Sequence, residues 1–105
     1  MSKKSNIVYV GRKPPMDYVM AVMLGISMVD AGEVVLKARG RAISTAVDVT
    51  EITRRRFLKD LQVSKVTIGT EEIEVEDGRV KSVSSIEIVL TITSKKAGNT
   101  TEEES

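Results

Sequence analysis

The chain has 105 residues, enough for one domain with a real core and no need of covalent staples. It contains no Cys and no His, which excludes a disulfide framework, thiolate and imidazole metal sites, a thiol nucleophile and the commonest general base. With 16 Lys and Arg against 15 Asp and Glu the formal charge is only +1, so any polyanion-binding role must come from how the cations are grouped.

The first thirteen residues hold Lys3, Lys4, Arg12 and Lys13 and no acid. Residues 1–5 are expected to form a flexible basic lead. Ile7-Val8-Tyr9-Val10 predicts a short strand ended by Gly11, and this apolar run is too short for the core of a signal peptide. Pro14-Pro15 breaks the chain, and Pro15 suits the first turn of a helix, where its missing N–H costs nothing. That helix is predicted over 16–31, closed by Gly32. Between Tyr18 and Ile26 it has no polar stripe, so one side is expected on the sheet and the other on a second subunit. A cofactor slot along its Met-rich face is the alternative. The apolar stretch from Tyr18 to Val29 carries Gly25 and Ser27 and falls short of the ~20 residues that span a bilayer. A soluble, cytoplasmic protein with no membrane partner is the expectation.

Val34-Val35-Leu36 is β-branched and aliphatic, as in a buried strand, and the second strand is predicted over Glu33–Arg39. Period-2 alternation puts Lys37 and Arg39 on one side of it. Gly40 permits a tight turn, and Arg41 leads into the next helix. Guanidinium groups held at a strand end suit phosphate oxygens, because each offers a planar fork of donors that stays charged. A solvated charged strand end is the alternative. The second helix is predicted over 42–58, with Asp48 and Glu51 early and Arg54-Arg55-Arg56 late, an order that complements the helix dipole. Glu51 stands four residues before Arg55, a favourable pairing. Ser44 and Thr45 have no activating base, and Asp48 with Glu51 reads as solvated surface. The chain is therefore expected to be no enzyme and to hold no cofactor, metal or small-molecule substrate. Phe57, the only Phe, should sit partly exposed at the helix end, as a core plug or as an anchor for another protein.

A long hairpin follows. The third strand is predicted over 63–75, with Gly69 a plausible bulge. Glu76-Asp77-Gly78-Arg79 carries an Asp-Gly turn signal, and the fourth strand is predicted over 85–93, with Ile86, Ile88, Leu90 and Ile92 facing inward. The polar segment 72–84 should project as an arm with Arg79 and Lys81 at its tip, their charge diluted by Glu76 and Asp77. Such a ribbon can enter a DNA groove; an idle surface hairpin is the alternative. Residues 95–105, ending in Glu102-Glu103-Glu104, read as a disordered tail.

Gly11-Arg12-Lys13-Pro14, Tyr18-Val19, the run Lys37-Ala38-Arg39-Gly40-Arg41-Ala42-Ile43-Ser44, Ala46-Val47-Asp48, Arg56-Phe57-Leu58 and Asp77-Gly78-Arg79, taken in order, resemble the archaeal chromatin protein family Alba. The resemblance covers 6–94. It implies a two-layer α/β fold of β-α-β-α-β-β order, like the C-terminal domain of a translation initiation factor, with an extended hairpin arm. It also implies a homodimer that binds double-stranded DNA, and often RNA, with little sequence preference, and that coats and compacts the chromosome. Carried over, Arg12 and Lys13 fall on the family's basic loop, Arg39 and Arg41 on the neighbouring arginines, Arg79 on the basic residue of the arm and Phe57 on an aromatic of dimer–dimer contact. The family loop usually reads Gly-Lys-Lys-Pro and is acetylated on its first Lys. Arg12 stands at that position here, which leaves Lys13 as the residue open to modification.

The residues themselves point the same way. With three aromatics (Tyr9, Tyr18, Phe57) and no base-reading motif, no stacking platform for single strands is expected. Lys37, Lys81 and the arginines then act as phosphate contacts multiplied by dimer symmetry. Two alternatives remain: an RNA-binding subunit of a ribonucleoprotein, and a dimeric adaptor whose ligand is protein.

Overall fold

In the computed structural model, residues 6–28 and 32–92 are described. The expected basic lead, the tail, Thr93 and the segment 29–31 lie outside them. The elements run β1 (Asn6–Val10), α1 (Pro15–Ser27), β2 (Glu33–Arg39), α2 (Ala42–Ile52), a π-helical turn (Thr53–Phe57), β3 (Leu61–Glu74) and β4 (Val80–Ile92). This is the expected mixed α/β order. One four-stranded sheet has the spatial order β1-β2-β4-β3, with β1 parallel to β2 and the other pairs antiparallel.

Alternation along β2 explains the layering. Val34, Leu36 and Ala38 are buried beneath the helices with Val19, Val22 and Ile26 of α1, Ala46 and Val49 of α2, and Ile88 and Leu90 of β4. Glu33, Val35, Lys37 and Arg39 take the opposite face. Gly25 sets how closely α1 lies on the sheet, since a Cβ there would come within 2.9 Å of Val34 Cγ2. The Asn6 side-chain amide donates to the Gly25 carbonyl at 3.2 Å and ties the start of β1 to the same turn.

Several element ends differ from the sequence reading. α1 stops at Ser27 rather than reaching Ala31: the Ser27 hydroxyl donates to the Leu24 carbonyl, Met28 N–H turns back to Gly25, and Met28 is already extended. α2 does not run regularly to Leu58. Thr50 and Thr53 donate their hydroxyls to the Ala46 and Val49 carbonyls, at 2.9 and 2.7 Å, and a wider turn follows in which Leu58 N–H reaches the Thr53 carbonyl. Such back-bonding loosens a helix at the residues that make it. Glu51 pairs with both Arg54 (2.8 Å) and Arg55 (3.5 Å), as its spacing implies. β4 starts at Val80 rather than 85, because 80–84 keep a continuous backbone ladder with 70–74 outside the core, and β3 runs Leu61–Glu74 rather than 63–75. Gly69 is not a bulge; it pairs regularly with Ser85, and the register shift falls between Val63 and Lys65.

Candidate nucleic-acid interface

At the C-terminal ends of the parallel strands β1 and β2, the chain opens a groove of about 790 Å³. Its wall includes Arg12, Lys13, Arg39 and Arg41, with Ala42 and Thr45 of α2 at one side. No carboxylate is among the described residues that line it. Four cations from a loop, a strand end and a helix start thus meet in one place, as their positions after β1 and β2 require.

Each is held by local structure. The loop carrying Arg12 and Lys13 is pinned by Tyr18, a buried residue of α1 whose hydroxyl oxygen accepts Gly11 N–H at 2.9 Å and Lys13 N–H at 3.0 Å. Sequence reasoning treated Tyr18 as a landmark and missed this role. Its spacing, one helical turn past a Gly-Arg-Lys-Pro-Pro loop, is the signal that could have found it. Gly40 separates Arg39 from Arg41 with φ +57°, a backbone state that costs other residues about 1–2 kcal/mol. Its N–H donates to the Ser84 carbonyl at 2.9 Å and its carbonyl accepts Ile43 N–H, so the turn is bonded to both β4 and α2. The first turn of α2 contains no acid, so its positive dipole end, beside the groove residues Ala42 and Thr45, is not offset there.

Other expected site residues lie elsewhere. Lys37 does face the same side as Arg39, but its Nζ sits 3.4 Å from Glu87 Oε2 across the ladder, and it lines a neighbouring cleft instead. Arg39 stands on the border of groove and cleft, with one guanidinium nitrogen 3.2 Å from Glu71 Oε1. Arg79 rides six residues beyond Ser85, roughly 20 Å along the arm at ~3.4 Å per residue. There its Nε donates to both carboxylate oxygens of Asp77, at 3.0 and 2.8 Å. This guanidinium holds the Asp77 carboxyl below its ordinary value of 3.8. Lys81 is exposed on the same arm, which carries Glu71, Glu72, Glu74, Glu76 and Asp77 against Arg79 and Lys81. The arm is therefore acidic overall, and its two cations stand apart from the four of the groove.

Phe57 is 44% exposed at the end of the π-helical turn, as expected. Among the described residues no cluster of acids suits a metal ion, and no helix is long and apolar enough to cross a membrane.

The family model described as Alba matches residues 6–70. The DNA/RNA-binding protein Alba 1 of Archaeoglobus fulgidus is 54% identical over 85 residues, covering 81% of this chain and 93% of that protein. The DNA/RNA-binding protein Alba of Methanococcus maripaludis is 48% identical over 85 residues, covering 81% and 96%. Among solved structures, Alba from Thermoplasma volcanium superimposes with a TM-score of 0.77 at 45% identity, covering 82% of this chain and 99% of the other. ALBA1 from Trypanosoma brucei gives a TM-score of 0.68 at 28% identity, covering 87% and 72%.

Proposed function

Because this chain belongs to the Alba family, we propose that it binds double-stranded DNA, and RNA, through phosphate contacts with little sequence preference. As a homodimer it coats and compacts the chromosome. The observation that carries this reading is the groove in which Arg12, Lys13, Arg39 and Arg41 meet with no carboxylate among its described lining residues, Arg39 also reaching Glu71 in the neighbouring cleft. Phosphate oxygens satisfy guanidinium forks, and the released counterions supply a driving force that ignores sequence. The names of the similar archaeal proteins, DNA/RNA-binding protein Alba, agree with it.

A second copy is needed for a different reason. β3 is an edge strand, and Val63, Val66 and Ile68 pair with the inward residues Leu90, Ile88 and Ile86, so they point to the helix side. The helices do not reach over them; Val66 is 51% exposed, and Ile68, which shares a hollow with Ile43 of α2, is 76% exposed. A long apolar edge left open invites aggregation, and closing it against its own copy removes that hazard. The row Met16, Met20 and Leu24 on α1, with Met28 just past its end, is another open apolar surface among the described residues, the one sequence reading assigned to the second subunit. Phe57 serves contacts between dimers on the nucleic acid. Lys13 stands at the groove, where acetylation would remove a phosphate contact.

Sedimentation of the chain alone and on duplexes of unrelated sequence tests this. A dimer that binds all duplexes with similar affinity, and that Ile68→Asp converts to a monomer while Met20→Asp does not, supports the reading. A wild-type monomer, or a strong preference for one sequence, refutes it.

A further inference from the structure

The sheet face turned away from the helices holds a feature that phosphate binding to a duplex leaves unused. Tyr9 is 70% exposed there, while Tyr18 is buried. Tyr9 pairs with Lys37 in the β1–β2 ladder and Lys37 pairs with Glu87 in the β2–β4 ladder, so the three form one row across the face. Together with Arg39, Glu71 and Ser85 they line a cleft of about 400 Å³, a size common for small-ligand sites. Both cations in it are already paired, Lys37 with Glu87 and Arg39 with Glu71. The cleft is therefore close to neutral, polar at its edge and aromatic at its wall. The groove next to it is purely cationic, and Arg39 and Val10 belong to both.

We propose that the open sheet face is a second binding site, for an unpaired nucleobase, in which Tyr9 stacks on the base while the strand's phosphates lie in the adjacent groove. A base is a polarisable plane with polar edges, matched to the Tyr9 ring and the neutralised Lys37 and Arg39 pairs; a phosphate is matched to the groove. Arg39 and Val10 border both cleft and groove, which puts Arg39 at the turn between the strand's backbone and its base in this proposal. A duplex keeps its bases stacked inside and cannot present a π-face to a side chain on a flat sheet, so Tyr9 distinguishes unpaired from paired strands. Sequence reasoning found no such platform because three scattered aromatics give no motif; the ladder puts one of them beside the cations. This inference rests on the groove being the phosphate site.

The test uses 20-nucleotide oligodeoxyuridylate, 20-nucleotide oligouridylate and a 20-bp duplex, bound by wild type, Tyr9→Ala and Tyr9→Phe. Loss of one stacked base weakens binding by roughly 5- to 150-fold. The expected result is a loss in that range for Tyr9→Ala on the single strands, near-wild-type binding for Tyr9→Phe, and duplex binding changed less than two-fold. The two single strands differ in the 2′-hydroxyl; a loss on both assigns the contact to the base, and a loss on one assigns the slot to that sugar. The chain has two Tyr and no Trp, so quenching of tyrosine emission by single strands, absent in Tyr9→Ala, reports the stack directly. Single-strand affinity indifferent to Tyr9→Ala, or an equal loss on duplex and single strand, overturns the proposal. Wild type that binds the duplex but neither single strand overturns it and leaves the groove intact; wild type that binds none of the three overturns both.

Discussion

Tyr18→Phe keeps the buried ring of α1 and removes one oxygen, the one that accepts both Gly11 N–H and Lys13 N–H. Each such hydrogen bond contributes a net ~0.5–1.5 kcal/mol. Both donors are only partly buried, and water replaces part of what is lost. The stability cost is then about 1–2 kcal/mol, which lowers Tm by about 4–16 °C in a domain of this size. The same loss frees the loop between β1 and α1, so Arg12 and Lys13 must be ordered again on binding, at a cost capped by the ~1–2 kcal/mol that the two hydrogen bonds supplied. Affinity for a duplex should fall roughly 5- to 30-fold at low salt. The number of cations is unchanged, so the slope of log affinity against log salt should be unchanged as well. Thermal melting and fluorescence anisotropy across a salt series measure both quantities. A variant as stable and as tight-binding as wild type refutes the claim that Tyr18 holds the basic loop; a flattened slope refutes the claim that it acts through position and not through charge.

Three further outcomes follow from the geometry. Glu71→Gln releases the Arg39 guanidinium from an exposed pair worth up to ~1 kcal/mol, so duplex affinity at low salt should rise by roughly two- to five-fold; a fall would mean that Glu71 positions Arg39 instead of competing for it. Gly25→Ala puts a methyl group 2.9 Å from Val34 Cγ2 and forces α1 off the sheet, at about 1–3 kcal/mol by denaturant unfolding, and an unchanged midpoint contradicts the close approach. At the arm tip the Asp77 carboxyl is held low chiefly by the Arg79 side chain, so the pair is intact above 3.8 and lost as pH falls through the lowered value. An NMR titration should place the Asp77 midpoint below 3.8 and return it toward 3.8 in Arg79→Ala; a wild-type midpoint at or above 3.8 contradicts the pairing.

The order of elements was legible because each carries a local signal: β-branched runs for β1 and β2, Pro15 at the start of α1, an Asp-Gly turn between β3 and β4. Their ends were less so. The outer ladder of the hairpin buries nothing, so alternation stops at Ser85 while backbone pairing continues to Val80. The loosened turn after α2 depends on which carbonyls Thr50 and Thr53 choose, and the bulge at Ser64 depends on the partner strand. The grouping of Arg12 and Lys13 with Arg39 and Arg41 was readable through the family resemblance, and the parallel pairing of β1 with β2 is its physical reason. What sequence reading could not supply were the partners that withdraw other cations from it. Glu71 lies 32 residues from Arg39 in the chain, and Glu87 meets Lys37 only through the β2–β4 register. Asp77 beside Arg79 was close enough in sequence to be read in part, as dilution of charge, though not as a two-oxygen clamp.

The phosphate groove is tested most directly by the salt dependence of duplex binding. Four groove cations per protomer, doubled in the proposed dimer, would neutralise up to about eight phosphates and give a slope near −7. Arg12→Ala with Arg41→Ala removes two per protomer and should bring it to roughly −3.6, with affinity falling alike on every sequence. A slope that the double substitution leaves unchanged contradicts the groove as the seat of binding.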